Sequence, residues 1–443
     1  MARVALHTLG CKLNFAETAA IARALAQAGH TITDWEAPAD LYVLNTCTVT
    51  HQAERKAHKL LRQVRRRSPR AQIVVTGCYA QLRPQALEAE PGVVLVAGNA
   101  QKPHLAATLL ALLGGGEGGQ TPAASFPSWT FWPASSSEGR TRAFLKVQDG
   151  CDYRCSFCTV PQARGPSRSA PPEWAVAEAR RLAQEGFREI VLTGINLGDY
   201  GKPHGASFLT LLEKLEREVS PTVRRFRLSS IEPNLLSDAI LDFVADHPRW
   251  APHFHLPLQS GSDRLLGRMR RRYRRRLYEN RIEAIRQRFP LAGIGVDVIV
   301  GFPGETPADF AVTRQFLADL PVSYLHVFPY SERPGTVAAT MPDPVPWPER
   351  LYRSELLREL SQRKRWEFAQ RCIGHTFSVL LETPTEGLTE NYLRVQLRSA
   401  GEVGAMVPAV IVSVEEEIWA EPKSQDGAAL AGSPVQREEE MTS

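Results

Sequence analysis

At 443 residues the chain exceeds one ordinary domain and predicts roughly two to four. A composition 43% hydrophobic and 23% charged fits a globular protein with a full core and excludes a disordered or collagen-like chain. The net charge of +5 is too mild to name a nucleic-acid partner by itself, and no apolar run reaches the length of a membrane span.

The opening MARVALHTLGCKLN lacks the apolar core and cleavage site of a signal peptide. The expectation is a cytoplasmic protein with no membrane segment, in a milieu that keeps thiols reduced. Seven cysteines is an odd number for a disulfide framework. No exposed zipper-like pattern is evident, so a monomer is expected.

In chain order, Arg3–Thr8 reads as a strand and Phe15–Gly29 as an amphipathic helix. A strand then leads to Cys47, a helix runs from about Gln52 to Arg67, a strand leads to Cys78, and Gly92–Gly98 is a further strand. This alternation over residues 1–113 predicts an α/β domain with a parallel sheet, whose ligands gather beyond the carboxyl ends of the strands. Cys11, Cys47 and Cys78 each follow a strand at that edge, so three thiols distant in sequence should converge. The bland alternative is three small buried thiols in an α/β core.

Residues 114–140 are rich in glycine, proline and serine and read as a linker, with Trp129 and Trp132 expected to pin it against a neighbouring domain. Over residues 141–371 the alternation resumes. Strands are expected at Ala143–Val147, Glu189–Thr193, Arg225–Ser229, His253–Pro257, Gly293–Val300 and Tyr324–Phe328, with helices between. Six units are fewer than the eight that close a full barrel, so a partial (β/α)6 barrel with a lateral cleft is predicted. A helix near Pro348–Ala369 leads into residues 372–422, where Thr376–Glu382, Tyr392–Leu397 and Ala409–Val414 suit a small antiparallel β-barrel. Residues 423–443 are polar and expected to be disordered. The basic runs His51–Arg70 and Arg268–Arg276 are either solvated helix faces or the footprint of a polyanion.

Cys151, Cys155 and Cys158 stand as C-x3-C-x2-C on the loop after the first barrel strand. Three thiolates can hold three irons of a cubane and leave the fourth open. Zinc usually takes a fourth ligand and paired C-x2-C knuckles, and no second pair stands nearby. An iron–sulfur cluster is therefore expected, with zinc or unrelated core thiols as the alternatives.

This loop resembles the signature of radical S-adenosylmethionine enzymes. There the open iron binds the amino and carboxylate groups of S-adenosyl-L-methionine, and the reduced cluster releases a 5′-deoxyadenosyl radical. The resemblance places Phe157 beside the adenine, and Thr193, Gly194 and Asn196 near the methionine moiety. Ser230 and Glu232 end the third strand with groups suited to an amine or ribose, and Gln259 and Asp297 belong to later strand ends with glycine-rich turns.

Nearly the whole chain resembles the methylthiotransferase family, through TLGCKLN, LNTCTV, TGCYA, ARGPSRS, RLSSIEP, HLPLQSGSD, DVIVGFPGE and FPYSERPGT. The C-terminal barrel looks like a TRAM domain, a module associated with RNA binding. The resemblance implies two 4Fe-4S clusters and two S-adenosylmethionine molecules per turnover. Cys151, Cys155 and Cys158 would hold the radical-generating cluster. Cys11, Cys47 and Cys78 would hold an auxiliary cluster carrying a sulfur species, which one S-adenosylmethionine methylates. No catalytic side chain is implied beyond the clusters, and Cys372 is a bystander. Implied partners are the tRNA anticodon stem-loop and an electron donor such as flavodoxin or ferredoxin.

Gly387–Leu397 and the TLGCKLN start resemble the type that acts on N6-threonylcarbamoyladenosine 37 of tRNA, so insertion of a methylthio group at its C2 is the expected reaction. The alternatives are N6-isopentenyladenosine 37 and an aspartate of a small-subunit ribosomal protein, toward which the acidic stretch Glu415–Glu421 leans. A different class would be a non-catalytic iron–sulfur RNA-binding redox sensor.

Overall fold

The computed structural model describes residues 1–48, 50–114, 129–136, 140–202 and 205–423. Apolar runs bounded by turn residues form its first sheet: β1 (Arg3–Thr8), β2 (Thr31–Thr33), β3 (Leu41–Thr46), β4 (Gln72–Gly77) and β5 (Val93–Ala97), all parallel, in the order β2-β1-β3-β4-β5. Every residue of β3 is buried, as expected for a central strand covered on both faces. Helix α1 (Lys12–Gln27) returns from β1, and α2 (His51–Arg67) from β3. In α2 the buried residues Ala57, Leu60, Leu61 and Val64 recur at helical spacing, and Thr50 caps its start by accepting from the Ala53 amide. Strand β2 was not anticipated. It has three residues, with Thr31 and Ile32 exposed and Thr33 half-buried, and is too short to carry an apolar signal.

The second sheet pairs β6 (Ala134–Ser136) antiparallel with β7 (Arg142–Lys146); a two-residue ribbon, β8 (Gln148–Asp149) with β9 (Arg168–Ser169), brackets the cysteine loop. Parallel strands β10 (Glu189–Thr193) and β11 (Arg225–Leu228) continue from β7. Strands β12 (His253–Gln259), β13 (Gly293–Val300) and β14 (Tyr324–Pro329) form a further parallel set. Isolated bridges Phe226–Trp250 and Ser230–His255 join β11 to β12. Six parallel strands thus follow one another from β7 to β14, the expected partial barrel, packed around one apolar core that includes Leu145, Leu192, Phe254 and Val296.

The expected linker is partly sheet. Ser135 pairs with Leu145 through β6, while residues 115–128 and 137–139 lie outside the described residues. Trp129 stacks near the Arg168 guanidinium at 5.3 Å, and Trp132 lies 5.7 Å from Lys146 Nζ, so both indoles do fasten the segment to the barrel.

After a long helix (Trp347–Arg371), β15 (Thr376–Leu381), β16 (Glu386–Thr389), β17 (Arg394–Leu397), β18 (Met406–Val414) and β19 (Ile418–Pro422) close a barrel in the order β15-β16-β17-β19-β18. It is not wholly antiparallel, because β17 and β19 pair in parallel to complete the ring. Cys372 is buried in its core, and burial pushes its thiol up to about 11. Arg225 and Arg227 bind the buried Glu189 and donate to carbonyls of Ser378, Leu388, Thr389 and Glu390, clamping this barrel to the larger one. The tail expected to be disordered lies outside the described residues from 424 onward. Among the described residues no helix is long and apolar enough to cross a membrane.

Candidate active site at the two cysteine trios

The register of the first sheet makes its strands end level: Thr8 pairs with Asn45, and Thr46 with Gly77. Cys11, the N-cap of α1, and Cys47 and Cys78, which directly follow β3 and β4, therefore share one edge. Two glycines permit the approach. A Cβ on Gly10 (φ +104°) would stand 2.8 Å from Cys47 Cβ, and one on Gly77 (φ +102°) would stand 2.4 Å from the Thr46 carbonyl. Asn14 Nδ2 donates to the carbonyls of Leu9 and Thr46 at 2.8 and 3.1 Å, tying the Cys11 and Cys47 turns together.

In the barrel loop the backbone turns sharply between the three cysteines: the Cys158 amide donates to the Cys155 carbonyl, and the Cys151 amide to the Gly165 carbonyl. The amides of Tyr153 and Val160 donate to the sulfurs of Cys151 and Cys158, each at 3.4 Å. Arg271 Nη1 donates to Cys155 Sγ at 3.2 Å. Burial pushes the thiols of Cys151 and Cys158 up to about 11 and about 12. Such thiols become ligands only when a cation displaces their protons. Among the described residues, the trio of candidate ligands whose atoms lie within 4.8 Å of one another is His255, Asp297 and His326, not a cysteine set.

The two trios are joined through the protein. Asn99 Nδ2 donates to Cys78 Sγ at 3.3 Å and to the Ala163 carbonyl, just past the cysteine loop, at 2.8 Å. Next to Ala163, the buried Arg164 reaches Glu17 of α1, Asp149 of β8 and Asn14. Lys102 and Lys146 also bind Glu17, and Lys146 and Arg168 bind Asp149. Burial alone would raise the Glu17 carboxyl, but Arg164, Lys102 and Lys146 hold it well below the usual range. The Cys11 helix and the Cys151 loop are thereby locked to one ionic hub with almost no solvent access.

Of the expected cofactor residues, Phe157, Gln259 and Asp297 line one cavity of about 200 Å³ together with Cys158, Ile299 and Arg333. Gln259 adopts φ +74°, a conformation costly for a non-glycine residue and typical of functional sites. Thr193, Gly194, Asn196, Ser230 and Glu232 do not line it. The Thr193 hydroxyl donates back to the Val191 carbonyl, and a Cβ on Gly194 would stand 3.0 Å from Gln148 Cβ. Asn196 Oδ1 accepts from the Glu232 amide, while its Nδ2 is buried without a partner. Ser230 Oγ meets His255 Nδ1 at 2.7 Å, and His255 Nε2 meets Asp297 Oδ1 at 2.9 Å. Glu232 pairs with Arg271.

Several contributors were not singled out from sequence. Gln148 accepts from the amides of Ile195 and Asn196 and donates to the Gly150 carbonyl, fixing the start of the cysteine loop against β10. Arg271 belongs to the basic run expected to face a polyanion, yet it is buried under Cys155; Arg270, Arg272, Arg274 and Arg276 are exposed. Glu17 did carry a signal, because it interrupts the buried stripe Leu13, Ile21, Leu25 on α1. On α2, Arg55, Lys56, Lys59, Arg62 and Arg66 are exposed.

Comparison with known proteins adds a sequence-wide test. The model of the uncharacterized protein family UPF0004 matches residues 3–98, and that of the radical SAM superfamily matches residues 145–317. The threonylcarbamoyladenosine tRNA methylthiotransferase MtaB of Aquifex aeolicus is 40% identical, over 92% of this chain and 100% of that protein. The Bacillus subtilis protein of the same name is 37% identical, over 93% and 94%. A tRNA-2-methylthio-N(6)-dimethylallyladenosine synthase of Dictyoglomus thermophilum is 33% identical, over 95% and 97%. Among solved structures, the radical S-adenosylmethionine methyltransferase TsrM of Kitasatospora setae superposes with a TM-score of 0.56 at 18% identity, covering 76% of this chain and 77% of its own, a likeness of fold. The superfamily match carries with it a 4Fe-4S cluster and S-adenosylmethionine. With full-length relatives at this identity, the chain belongs to the radical S-adenosylmethionine methylthiotransferase family.

Proposed function

We propose that the chain inserts a methylthio group at C2 of N6-threonylcarbamoyladenosine 37 in tRNA, using two 4Fe-4S clusters, one on each cysteine trio. The observation that carries this reading is the link between the two trios through Asn99 and Arg164, which ties the elements carrying both sets of thiols rigidly together, as a reaction using two metal centres requires. The full-length relatives named for the threonylcarbamoyl substrate support that choice over the isopentenyl one. When bound, the clusters supply the electron that cleaves S-adenosylmethionine and the seat for the sulfur to be transferred.

The chain's own residues hold and orient. Cys151, Cys155 and Cys158 would ligate one cluster, with Arg271 donating to Cys155 and so favouring the more reduced, more negative state. Cys11, Cys47 and Cys78 would ligate the other, with Asn99 donating to Cys78. Phe157, Val160 and Ile299 give the cavity apolar walls that exclude water from a reactive radical. The C–H bond at adenine C2 is not acidic, so no side chain is assigned as a general base. The exposed cations of α2 would meet the phosphates of the anticodon stem-loop, and a donor such as flavodoxin or ferredoxin would deliver the electron.

Nucleoside mass spectrometry of tRNA from a strain lacking the gene tests the reading. The threonylcarbamoyl base without its methylthio group should accumulate, and the reconstituted protein should bind about eight irons, four for each cubane. Normal tRNA together with an unmodified ribosomal-protein aspartate would refute it.

A further inference from the structure

The basic run Arg268–Arg276 spans the turn between the helices Asp263–Arg268 and Arg275–Arg288. It meets the cysteine loop through backbone as well as side chains. The Ser156 amide donates to the Met269 carbonyl at 3.1 Å, and the Ser156 hydroxyl to the Arg268 carbonyl at 2.8 Å. Arg271 turns inward to Cys155 Sγ, while Arg272 lies over the Tyr153 ring at 3.8 Å. Asn234, which donates to the Tyr153 hydroxyl, shares a surface hollow with Arg276. The cysteine loop therefore has two sides. Residues 157–160 line the cavity that also contains Gln259 and Asp297, whereas neither residues 153–156 nor residues 268–276 line it.

Arg154, Arg270, Arg272, Arg274 and Arg276 are exposed, and among the described residues no carboxylate pairs with any of them. The acids of the adjoining segments are engaged: Glu232 by Arg271, Asp152 by Lys202, and Asp263 by the Arg275 amide. Such a group of cations sets up a positive field that draws in an acidic partner and speeds its arrival. None of the exposed large hydrophobic side chains among the described residues belongs to either segment. The surface thus suits a small, transient encounter, and it lacks the aromatic platforms on which unpaired bases stack. A carrier docked over the cavity would compete with the tRNA, whereas one docked over residues 153–156 leaves the cavity open. We propose that this arginine surface docks an acidic one-electron carrier protein, which reduces the cluster of Cys151, Cys155 and Cys158 across the Arg271–Cys155 contact. The carrier loses one electron and the cluster gains it, with no bond made or broken and no proton moved. The assignment rests on the radical-generating cluster of the function proposed above.

The test is stopped-flow reduction of the full, cluster-loaded chain, followed by bleaching of cluster absorbance. Two reductants are compared: flavodoxin hydroquinone, an acidic carrier protein, and the methyl viologen radical, a small cation that needs no docking surface. Arg270→Glu combined with Arg276→Glu should slow reduction by flavodoxin about tenfold at low salt and flatten its dependence on ionic strength, without slowing reduction by viologen. Unchanged flavodoxin kinetics overturn the proposal. So does equal slowing with both reductants, because the substitutions then disturb the cluster itself. Binding of an anticodon stem-loop RNA, followed by fluorescence anisotropy, should be the same in variant and wild type. A clear loss of that affinity overturns the proposal, because the surface then meets RNA phosphate. Should the double variant fail to hold its cluster, Arg276→Gln decides: slowing of about threefold confined to flavodoxin supports the surface, and no slowing overturns it. A wild type that binds no iron refutes the proposed reaction, whereas a loaded wild type that flavodoxin leaves oxidised refutes the docking surface alone.

Discussion

Glutamine in place of Glu17 would remove the negative charge on which Lys102, Lys146 and Arg164 converge, all of them buried. Breaking a buried ion pair from one side typically costs about 3–5 kcal/mol. Two features place this case at the lower end, about 3 kcal/mol. Asp149 still pairs with Lys146 and Arg164, and burial already depresses the Lys102 ammonium, so it can shed its proton once its partner is neutral. Against a typical stability of about 5–15 kcal/mol, that loss is large. Urea unfolding of the cluster-free chain, followed by tryptophan fluorescence, should show the first transition at markedly lower denaturant, since the core around Trp35 belongs to the same sheet. The pH profile has a definite sign. Glu17 is held well below the ordinary carboxylate range, so its stabilisation is complete above about pH 4.5 and is lost only as pH falls through the depressed value. The gap between wild type and variant should stay level from about pH 5 to 8 and shrink in acid. A gap below about 0.5 kcal/mol at pH 7, or one that widens in acid, refutes the reasoning.

Other consequences are equally direct. Cys155→Ala should abolish reductive cleavage of S-adenosylmethionine, measured as 5′-deoxyadenosine, while Cys47→Ala should spare cleavage and stop sulfur insertion, measured on tRNA nucleosides. Gly77→Ala places a Cβ 2.4 Å from the Thr46 carbonyl at φ +102° and should destabilise the chain by about 2 kcal/mol or more in urea. Burial would raise the Glu189 carboxyl, but Arg227 and Arg225 bring it down to about 2. Its contribution of roughly 3 kcal/mol should therefore be intact at neutral pH and fade as pH falls from about 5 toward 2, an acid limb that Glu189→Gln removes. Lys59→Gln and Arg62→Gln, both on the exposed face of α2, should weaken tRNA binding and each flatten the salt dependence by about one unit of slope.

Strands β10 and β13 coincide end to end with the expected Glu189–Thr193 and Gly293–Val300, because buried apolar runs bounded by turns announce themselves locally. That Cys11, Cys47 and Cys78 share one edge of the sheet was legible too, since parallel strands in one sheet must finish at one edge. The short strands β2, β6, β8 and β9 were not, being two or three residues of mostly polar sequence.

Charge was the hardest to read. The basic run from Arg268 to Arg276 looks uniform as letters, yet Arg271 is buried beneath Cys155 while Arg272 lies exposed over the Tyr153 ring. Chain order by itself determined the layered α/β plan, the partial barrel and the placing of Cys11, Cys47 and Cys78 just beyond strand ends, because hydrophobic period and strand direction depend on near neighbours. Only the tertiary structure decided that Glu17 and Arg164 tie the Cys11 helix to the Cys151 loop and that Arg333 fastens the end of β14 to the turn after Cys47. Their energies depend on through-space distance and on loss of water, and residues separated by more than a hundred positions acquire both only when the chain is folded.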